Sequence, residues 1–294
     1  MRFDMGETAR FMTTHARLLD RRRFDLVTGR GSADGALWAL AGYRNADGGF
    51  GWALEPDLRS PESQPGGALH AFEVLEEAGP RTSELAGPLC DWLASVTLPD
   101  GGLPFALPVT EPAGSAPWWV GADPGESSLH ITAAVAAVAH QVARHDPVVA
   151  GHPWLATATE FCLRRIGERQ RPESTLELRY ALSFLDAVHD THPEAKAELH
   201  RMAAFVPADG TLAVEGGVEG EALHALDFSP LPDRPLRELI TPEAVRADLE
   251  RVLGQRRPDG GWVVDFATQT DAGALEWRGY ATVAAVKLLL DHED

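Results

Sequence analysis

One short pattern recurs along the chain and limits its possible folds more than any other feature. Asp-Gly-Gly followed by an aromatic residue or leucine occurs at 47–50, 100–103 and 259–262, and a degenerate copy, Asp-Gly-Thr-Leu, occurs at 209–212. Each copy follows an amphipathic helical stretch. Aspartate favours the start of a tight turn, and glycine supplies the positive φ that the turn needs. A turn repeated at one place in successive helix pairs indicates a repeat architecture.

The segments between these turns have helical periodicity. Apolar residues recur at the spacing of an α-helix and predict helices at about 6–20, 33–44, 65–78, 82–97, 127–144, 152–169, 174–190, 193–205, 219–226, 242–255 and 277–290. The Gly-Pro and His-Pro dipeptides at 79–80 and 192–193 are helix stop signals. Strand signals are weak throughout, so the sequence predicts an all-α protein.

A second repeat lies at the start of the helices that follow the turns. A small residue, a leucine and then His or Glu occur at 68–70, 128–130, 175–177, 222–224 and 274–276. The last residues of these triplets are 60, 47, 47 and 52 positions apart. Five equivalent helices, with an N-terminal pair that could supply a sixth, predict a closed ring of five or six helical hairpins in one domain over residues 1–294. One helix of each pair would then line the centre.

Two segments that end in these turns resemble a known repeat. Residues 92–102 and 253–262 are similar to the Gln-Trp repeat of squalene/hopene cyclases, so the chain resembles the α/α toroid superfamily of these cyclases and the prenyltransferase β-subunits. Segments 54–59 and 276–279 also resemble a bacterial branch described only as prenyltransferase-like. The resemblance implies a toroid with a central cavity and an enzyme of isoprenoid-like substrates. The Asp-x-Asp-Asp motif of the cyclases and the Asp-x-Cys arrangement of the protein prenyltransferases are absent, which disfavours protein prenylation.

The candidate catalytic residues are one loop acid and the side chains that end the five triplets. Asp57 follows the first turn by ten residues and is the leading acid. The triplet residues would form a tier of ionisable groups around one mouth of the cavity; they are His70, His130, Glu177, His224 and Glu276. In the simplest scheme Asp57 or Glu276 is the acid and His130 or His70 the base. A structural role is the alternative, because such groups also cap helices or pair with arginine.

Candidate substrate-binding residues are aromatic or lie beside the proposed acids. Trp118 and Trp119 are adjacent in the long loop 99–126 and would form either a lid, a stacking platform or an apolar plug. Trp277 and Arg278 follow Glu276 directly. We therefore expect these four residues to contact a small-molecule substrate.

Composition excludes several other classes of function. The formal net charge of −18 argues against nucleic acid or an anionic membrane as partner. The two cysteines provide no disulfide framework, and the longest apolar stretch, 131–139, is too short to span a bilayer. We expect a cytoplasmic location. No nucleotide-binding motif is present, and metal ligands from separate helices would have to converge across the ring, so we expect no cofactor and no metal.

Three functions remain open at this point, and the oligomeric state is not constrained. The first is a terpene-cyclase-like or prenyltransferase-like enzyme that acts on a hydrophobic small molecule by acid–base chemistry. The second is a carbohydrate-active lyase or hydrolase with paired carboxylates. The third is a binding or scaffold protein without catalysis.

Overall fold

The computed structural model describes residues 3–293, and these residues are mostly helical. The described part contains fourteen α-helices, one 3₁₀-helix over Pro235–Leu239 and one pair of short antiparallel strands. The helices are α1 Met5–His15, α2 Leu18–Val27, α3 Ala33–Ala41, α4 Pro65–Glu77, α5 Ala86–Val96, α6 Pro117–Val120, α7 Leu129–Ala143, α8 Pro147–Ala150, α9 Pro153–Glu168, α10 Thr175–Val188, α11 Pro193–Ala203, α12 Ala225–Phe228, α13 Pro242–Gly254 and α14 Asp271–Asp291. The strands are β1 Leu212–Ala213 and β2 Ala222–Leu223. The predicted all-α class is confirmed at this level.

The Asp-Gly-Gly turns have the geometry that their sequence predicts. In the first turn the side chain of Asp47 accepts a hydrogen bond of 3.0 Å from the amide of Gly49, and Gly48 has a φ of 94°. The three other copies have the same aspartate-to-amide bond, at 3.2, 3.0 and 3.1 Å. The residue after each full turn, Phe50, Leu103 or Trp262, is buried. The turn therefore directs the chain back into the core.

Each full turn also packs closely against a helix from another part of the chain. A Cβ atom on Gly48 would lie 2.5 Å from the carbonyl oxygen of Pro88 in α5, and one on Gly101 would lie 3.3 Å from that of Thr157 in α9. A Cβ on Gly260, in the turn that follows α13, would lie 2.5 Å from the backbone of Glu7 in α1. Glycine is favoured at all three positions because φ is 94° or 95°, and at Gly48 and Gly260 a side chain would also overlap the facing backbone. The last turn of the chain thus lies against its first helix.

Burial separates inner from outer helices. Helices α4 and α7 are buried around most of their circumference, whereas α1, α9, α11 and α13 bury one face, as expected for helices at the outside of a bundle. Helix α7 contacts both α4 and α10, and α14 contacts α2. The two ends of the chain share an apolar cluster that includes Phe11, Phe24, Trp262, Val286 and Leu289.

Two predicted helices are wrong in detail. The predicted helix 6–20 is two helices, because the chain leaves the helical conformation at Ala16, where ψ is 154°. The predicted helix 219–226 is replaced by β2 and the single turn α12. Gly216 and Gly220 have positive φ there and allow the tight connection between β1 and β2. The triplet at 222–224 therefore does not begin an inner helix.

Candidate functional site

The segment between the first turn and α4 begins with unusual backbone. Trp52 and Ala53 are both left-handed, with φ of 57° and 58°, a conformation that costs a non-glycine residue about 1–2 kcal/mol. Arg17 holds this bend, since its guanidinium donates to the carbonyl oxygens of Ala53 at 3.0 Å and Leu54 at 3.2 Å. Strained backbone that is held by its surroundings is common at functional sites.

Asp57, four residues beyond this bend, is almost completely buried, with 3% of its surface exposed. The indole nitrogen of Trp277 donates to its Oδ2 atom at 2.8 Å, whereas Oδ1 is buried without a well-formed hydrogen bond among residues 3–293. Burial raises the pKa of Asp57 to about 6, and the negative charge of Glu55 contributes to the rise. The hydrogen bond from Trp277 and the backbone amide of Gln269 lower the pKa but do not cancel the effect of burial. Such a carboxyl group can exchange a proton with a bound molecule near neutral pH.

His70 lies beside this acid and is held between two carboxylates. Its Nε2 atom is 2.8 Å from Glu55 and its Nδ1 atom is 2.8 Å from Glu73. Carboxylate oxygens only accept hydrogen bonds, so both ring nitrogens carry protons and the ring is an imidazolium. Burial opposes that charge, but the Glu73 charge and the bonds to both carboxylates outweigh it and raise the pKa of His70 to about 9.

Glu55 and Glu73 extend this arrangement in two directions. Glu55 accepts a 3.0 Å hydrogen bond from the backbone amide of Asp57, so it connects His70 to the acid. Glu73 accepts a 2.9 Å hydrogen bond from the hydroxyl group of Tyr280. Burial raises the pKa of Glu73, but the charge and hydrogen bond of His70 reverse the effect and lower it. We call Glu55, Asp57, His70, Glu73 and Tyr280 the acid cluster.

Aromatic rings surround the acid cluster in two groups. Trp277 makes edge-on contacts with Phe266 at 5.0 Å and Tyr280 at 5.4 Å between ring centroids. In the second group, His130 stacks on Tyr180 at 4.8 Å and contacts Phe105, which in turn stacks on Trp119 at 4.4 Å. A Cβ atom on Gly66 would lie 3.2 Å from Trp119 and 3.6 Å from Glu55, so the second group approaches the acid cluster at Glu55.

Several of these side chains are largely buried without losing all of their accessible surface. Burial is the largest influence on the pKa of Tyr180 and Tyr280, and it raises both. Each nevertheless keeps part of its surface accessible, as do Glu73 and His130. These four side chains are therefore partly accessible within the region.

The structure brings six of the sequence-predicted site residues into or beside this region. Asp57, His70 and Trp277 form one group, and Glu276 lies next to it in an ion pair with Arg59 at 2.6 Å. His130 belongs to the second aromatic group, together with the predicted Trp119. Burial and the charge of Arg179 lower the pKa of His130 to about 4, so this ring is neutral.

The other four predicted residues lie elsewhere. Glu177 is near Arg169 at 3.6 Å and accepts a hydrogen bond from the Glu173 amide, and His224 precedes α12. Trp118 is 49% exposed. Arg278 pairs with Asp259 at 2.8 Å and lies over the ring of Phe11, on the side of α14 that faces α1. No hydrogen bond or ion pair among the described residues joins these four side chains to the acid cluster.

Sequence reasoning missed several members of the region, among them Glu55, Glu73, Tyr180 and Tyr280. A usable signal was present for two of them. Glu73 follows His70 by three positions and Tyr280 follows Trp277 by three, which places each pair on one helix face. Glu55 reaches His70 from a loop, and no local pattern encodes that contact.

Two kinds of feature are absent from the part of the chain that the structure describes. No group of three or more His, Cys, Asp or Glu side chains within residues 3–293 is arranged to hold a metal ion. Over the same residues, no helix combines the length and apolar character needed to cross a membrane.

Comparison with known proteins supports the fold only. No family model matches the chain, and no curated protein matches it. A crystal structure of a protein from Actinoplanes is similar, with a TM-score of 0.55 and 16% sequence identity. The similarity covers 97% of this chain and 98% of the Actinoplanes chain. At this identity the likeness concerns the course of the backbone and not the chemistry.

Proposed function

We propose that this protein is an enzyme that acts on a hydrophobic small molecule by acid–base chemistry, in the central cavity of a closed α/α toroid. The observation that carries the proposal is Asp57: a buried carboxyl group with a pKa of about 6, which accepts from the indole of Trp277 and has one oxygen without a well-formed hydrogen bond among the described residues. Aromatic faces stabilise cationic centres, and a protonated acid beside them suits the protonation of an alkene or epoxide.

The closed ring is supported by the way the two ends of the chain meet. The turn after α13 packs on α1 just as the turn after α3 packs on α5. Arg256 strengthens the same contact by donating to the backbone of Asp4 at 2.9 Å and pairing with Glu7 at 3.1 Å. In this arrangement α1–α2, α3–α4 and α9–α10 are hairpins of one domain whose two helices contact each other directly.

The protonation states assign different roles to the candidate residues. Asp57 transfers a proton to one carbon of the substrate double bond, which leaves a carboxylate on the enzyme and a cation on the other carbon. His70 is already protonated and hence is not the base; it holds Glu55 beside Asp57 and keeps Glu73 paired. Neutral His130 is the base that removes a proton from a neighbouring carbon of the cation. Product release and exchange with water return both groups to their starting states.

Deuterium incorporation tests this assignment across a panel of compounds and does not depend on the exact substrate. The protein is incubated in D₂O with isoprenoid alcohols, their epoxides and unsaturated fatty acids, and products are analysed by mass spectrometry. We expect one carbon-bound deuterium per product from the wild type and none from Asp57→Asn. Asp265→Asn is the control, because Asp265 is an exposed loop residue beside Phe266. Equal incorporation by the wild type and Asp57→Asn would show that Asp57 is not the acid.

A binding protein without catalysis is the second candidate. It is favoured by the ion pairs of the predicted tier, since His70 and Glu276 are both held by oppositely charged side chains. The same panel separates the two candidates. A binding protein would retain hydrophobic compounds through purification and incorporate no deuterium in any variant.

A further inference from the structure

Arg179 in α10 differs from the other arginines that point into the protein. Arg17 pairs with Asp20 at 2.8 Å, and Arg23 pairs with Glu77 at 2.7 Å. Arg179 makes no ion pair and no side-chain hydrogen bond with any described residue, although it is only partly accessible. Its guanidinium carbon lies 5.1 Å from the centroid of the Tyr180 ring. Removing an arginine from water without an ion-pair partner is costly, so an unpaired and only partly accessible arginine indicates a site for an anion.

The groups around Arg179 are suited to a single negative charge. Burial opposes the charge of Arg179, but Tyr180, Asp227 and Glu73 keep its pKa above the ordinary value, so it is a permanent cation. Glu73 already accepts from His70 and Tyr280, and Asp227 accepts from the backbone amide of His224 at 2.8 Å. Both carboxylates therefore have other hydrogen-bond partners, and neither forms an ion pair with Arg179. A multiply charged group such as a diphosphate would be repelled by the carboxylates of Glu73 and Asp227.

Two neighbouring side chains add hydrogen-bonding capacity. The hydroxyl group of Tyr180 remains protonated, because burial raises its pKa, and it makes no hydrogen bond with another described residue. His130 stacks on Tyr180 at 4.8 Å and is neutral, so one of its ring nitrogens is a donor. Tyr180 and His130 belong to the second aromatic group, which approaches the acid cluster. A ligand held by Arg179 could therefore reach Asp57 with its apolar part.

We infer that Arg179, with Tyr180 and His130, binds one carboxylate group of an amphipathic ligand. The inference rests on the proposed function and narrows its substrate class to unsaturated hydrophobic acids. Arg179 would donate two hydrogen bonds to the carboxylate, the geometry for which a guanidinium is best suited.

Calorimetric titration with octanoate and octanamide tests the inference, because the two probes share one apolar chain and differ in charge. We expect octanoate to bind the wild type more tightly than octanamide. Arg179→Met should weaken octanoate binding about 10- to 100-fold, the usual value of a charged hydrogen bond, and leave octanamide unchanged. Arg164→Met is the matched control, since Arg164 also lies over an aromatic ring, that of Phe161 at 5.7 Å, but is exposed.

Tyr180→Phe is the second variant, and it provides the test if Arg179→Met does not fold. It removes one hydroxyl group and keeps the aromatic ring. We expect it to weaken octanoate binding severalfold. Equal binding of the two probes, or octanoate binding that neither variant changes, would overturn the inference and leave the hydrophobic cavity intact. If neither probe binds the wild type, both the inference and the proposed hydrophobic site fail.

Discussion

His70 gives the structure a pH dependence that can be measured as a free energy of unfolding. Its pKa is about 9 in the folded protein, against an ordinary value of 6.5. The folded state therefore binds a proton that the unfolded state has released over this interval. The stabilising effect is complete below about pH 6.5 and is lost as the pH rises through about 9. At about 1.36 kcal/mol per pH unit, the total is about 3 kcal/mol.

His70→Gln removes the titrating group and keeps a side chain of similar length. Urea unfolding of the wild type and this variant, at about pH 6.5, 7.5, 8.5 and 9.5, gives the difference in their free energies of unfolding. We expect the wild type to be more stable at low pH and its advantage to shrink by about 3 kcal/mol across the series. His200→Gln is the control, because His200 is exposed on α11, and its difference should not change with pH.

If the free energies of unfolding of the wild type and His70→Gln change with pH in parallel, His70 is not an imidazolium between Glu55 and Glu73. The variant leaves these two carboxylates without their cation, so it is itself destabilised and its folding must be checked by circular dichroism. If it does not fold, NMR titration of the wild-type His70 ring answers the same question. A midpoint near 6.5 instead of about 9 would refute the argument equally.

Two further perturbations test the packing of the last turn on α1 and the environment of Asp57. Gly260→Ala should lower the free energy of unfolding by at least about 2 kcal/mol, because φ is 95° and the new Cβ would lie 2.5 Å from the α1 backbone. Gly254→Ala is the control, since nothing lies within 4 Å of its Cβ position. In the same thermal unfolding assay it should be neutral or slightly stabilising. Equal effects of both variants would contradict the packing of the last turn on α1. Trp277→Phe removes the indole N–H that donates to Asp57 and lowers its pKa. The Asp57 carboxyl of this variant should therefore titrate above about 6 in ¹³C NMR. A titration midpoint below that of the wild type would show that this hydrogen bond does not stabilise the carboxylate.

The parts of the fold that the sequence predicted well are those determined by neighbouring residues. Asp47 and Gly48 specify their turn by a side-chain hydrogen bond and a positive φ that involve only the next few residues. The helix break at Ala16 has a different origin. There the side chain of Arg17 leaves the helix surface to bind carbonyl groups 36 and 37 positions later in the chain. No local pattern contains that contact.

The candidate site shows the same division. Asp57 was identified from its position after the best-formed turn, and the structure places it beside the predicted His70 and Trp277. The protonation states of the site residues could not be predicted from the sequence, because they depend on burial and on partners from distant segments. Glu55 in a loop and Glu73 in α4 together make His70 a cation. His130, equivalent in the repeat, is neutral because burial and the charge of Arg179 lower its pKa.

The packing of the last turn on the first helix affects the order in which the protein matures during synthesis. For each turn in the first half of the chain, the helix that it packs against is synthesised within about one repeat after the turn leaves the ribosome. The exposed surface of α1 must wait for Gly260 and α14, which are translated last. Domains fold as units as synthesis proceeds, and contacts distant in sequence form slowly. The N-terminal hairpin is therefore the last to be covered, and until then its apolar residues Phe11 and Phe24 are available to chaperones.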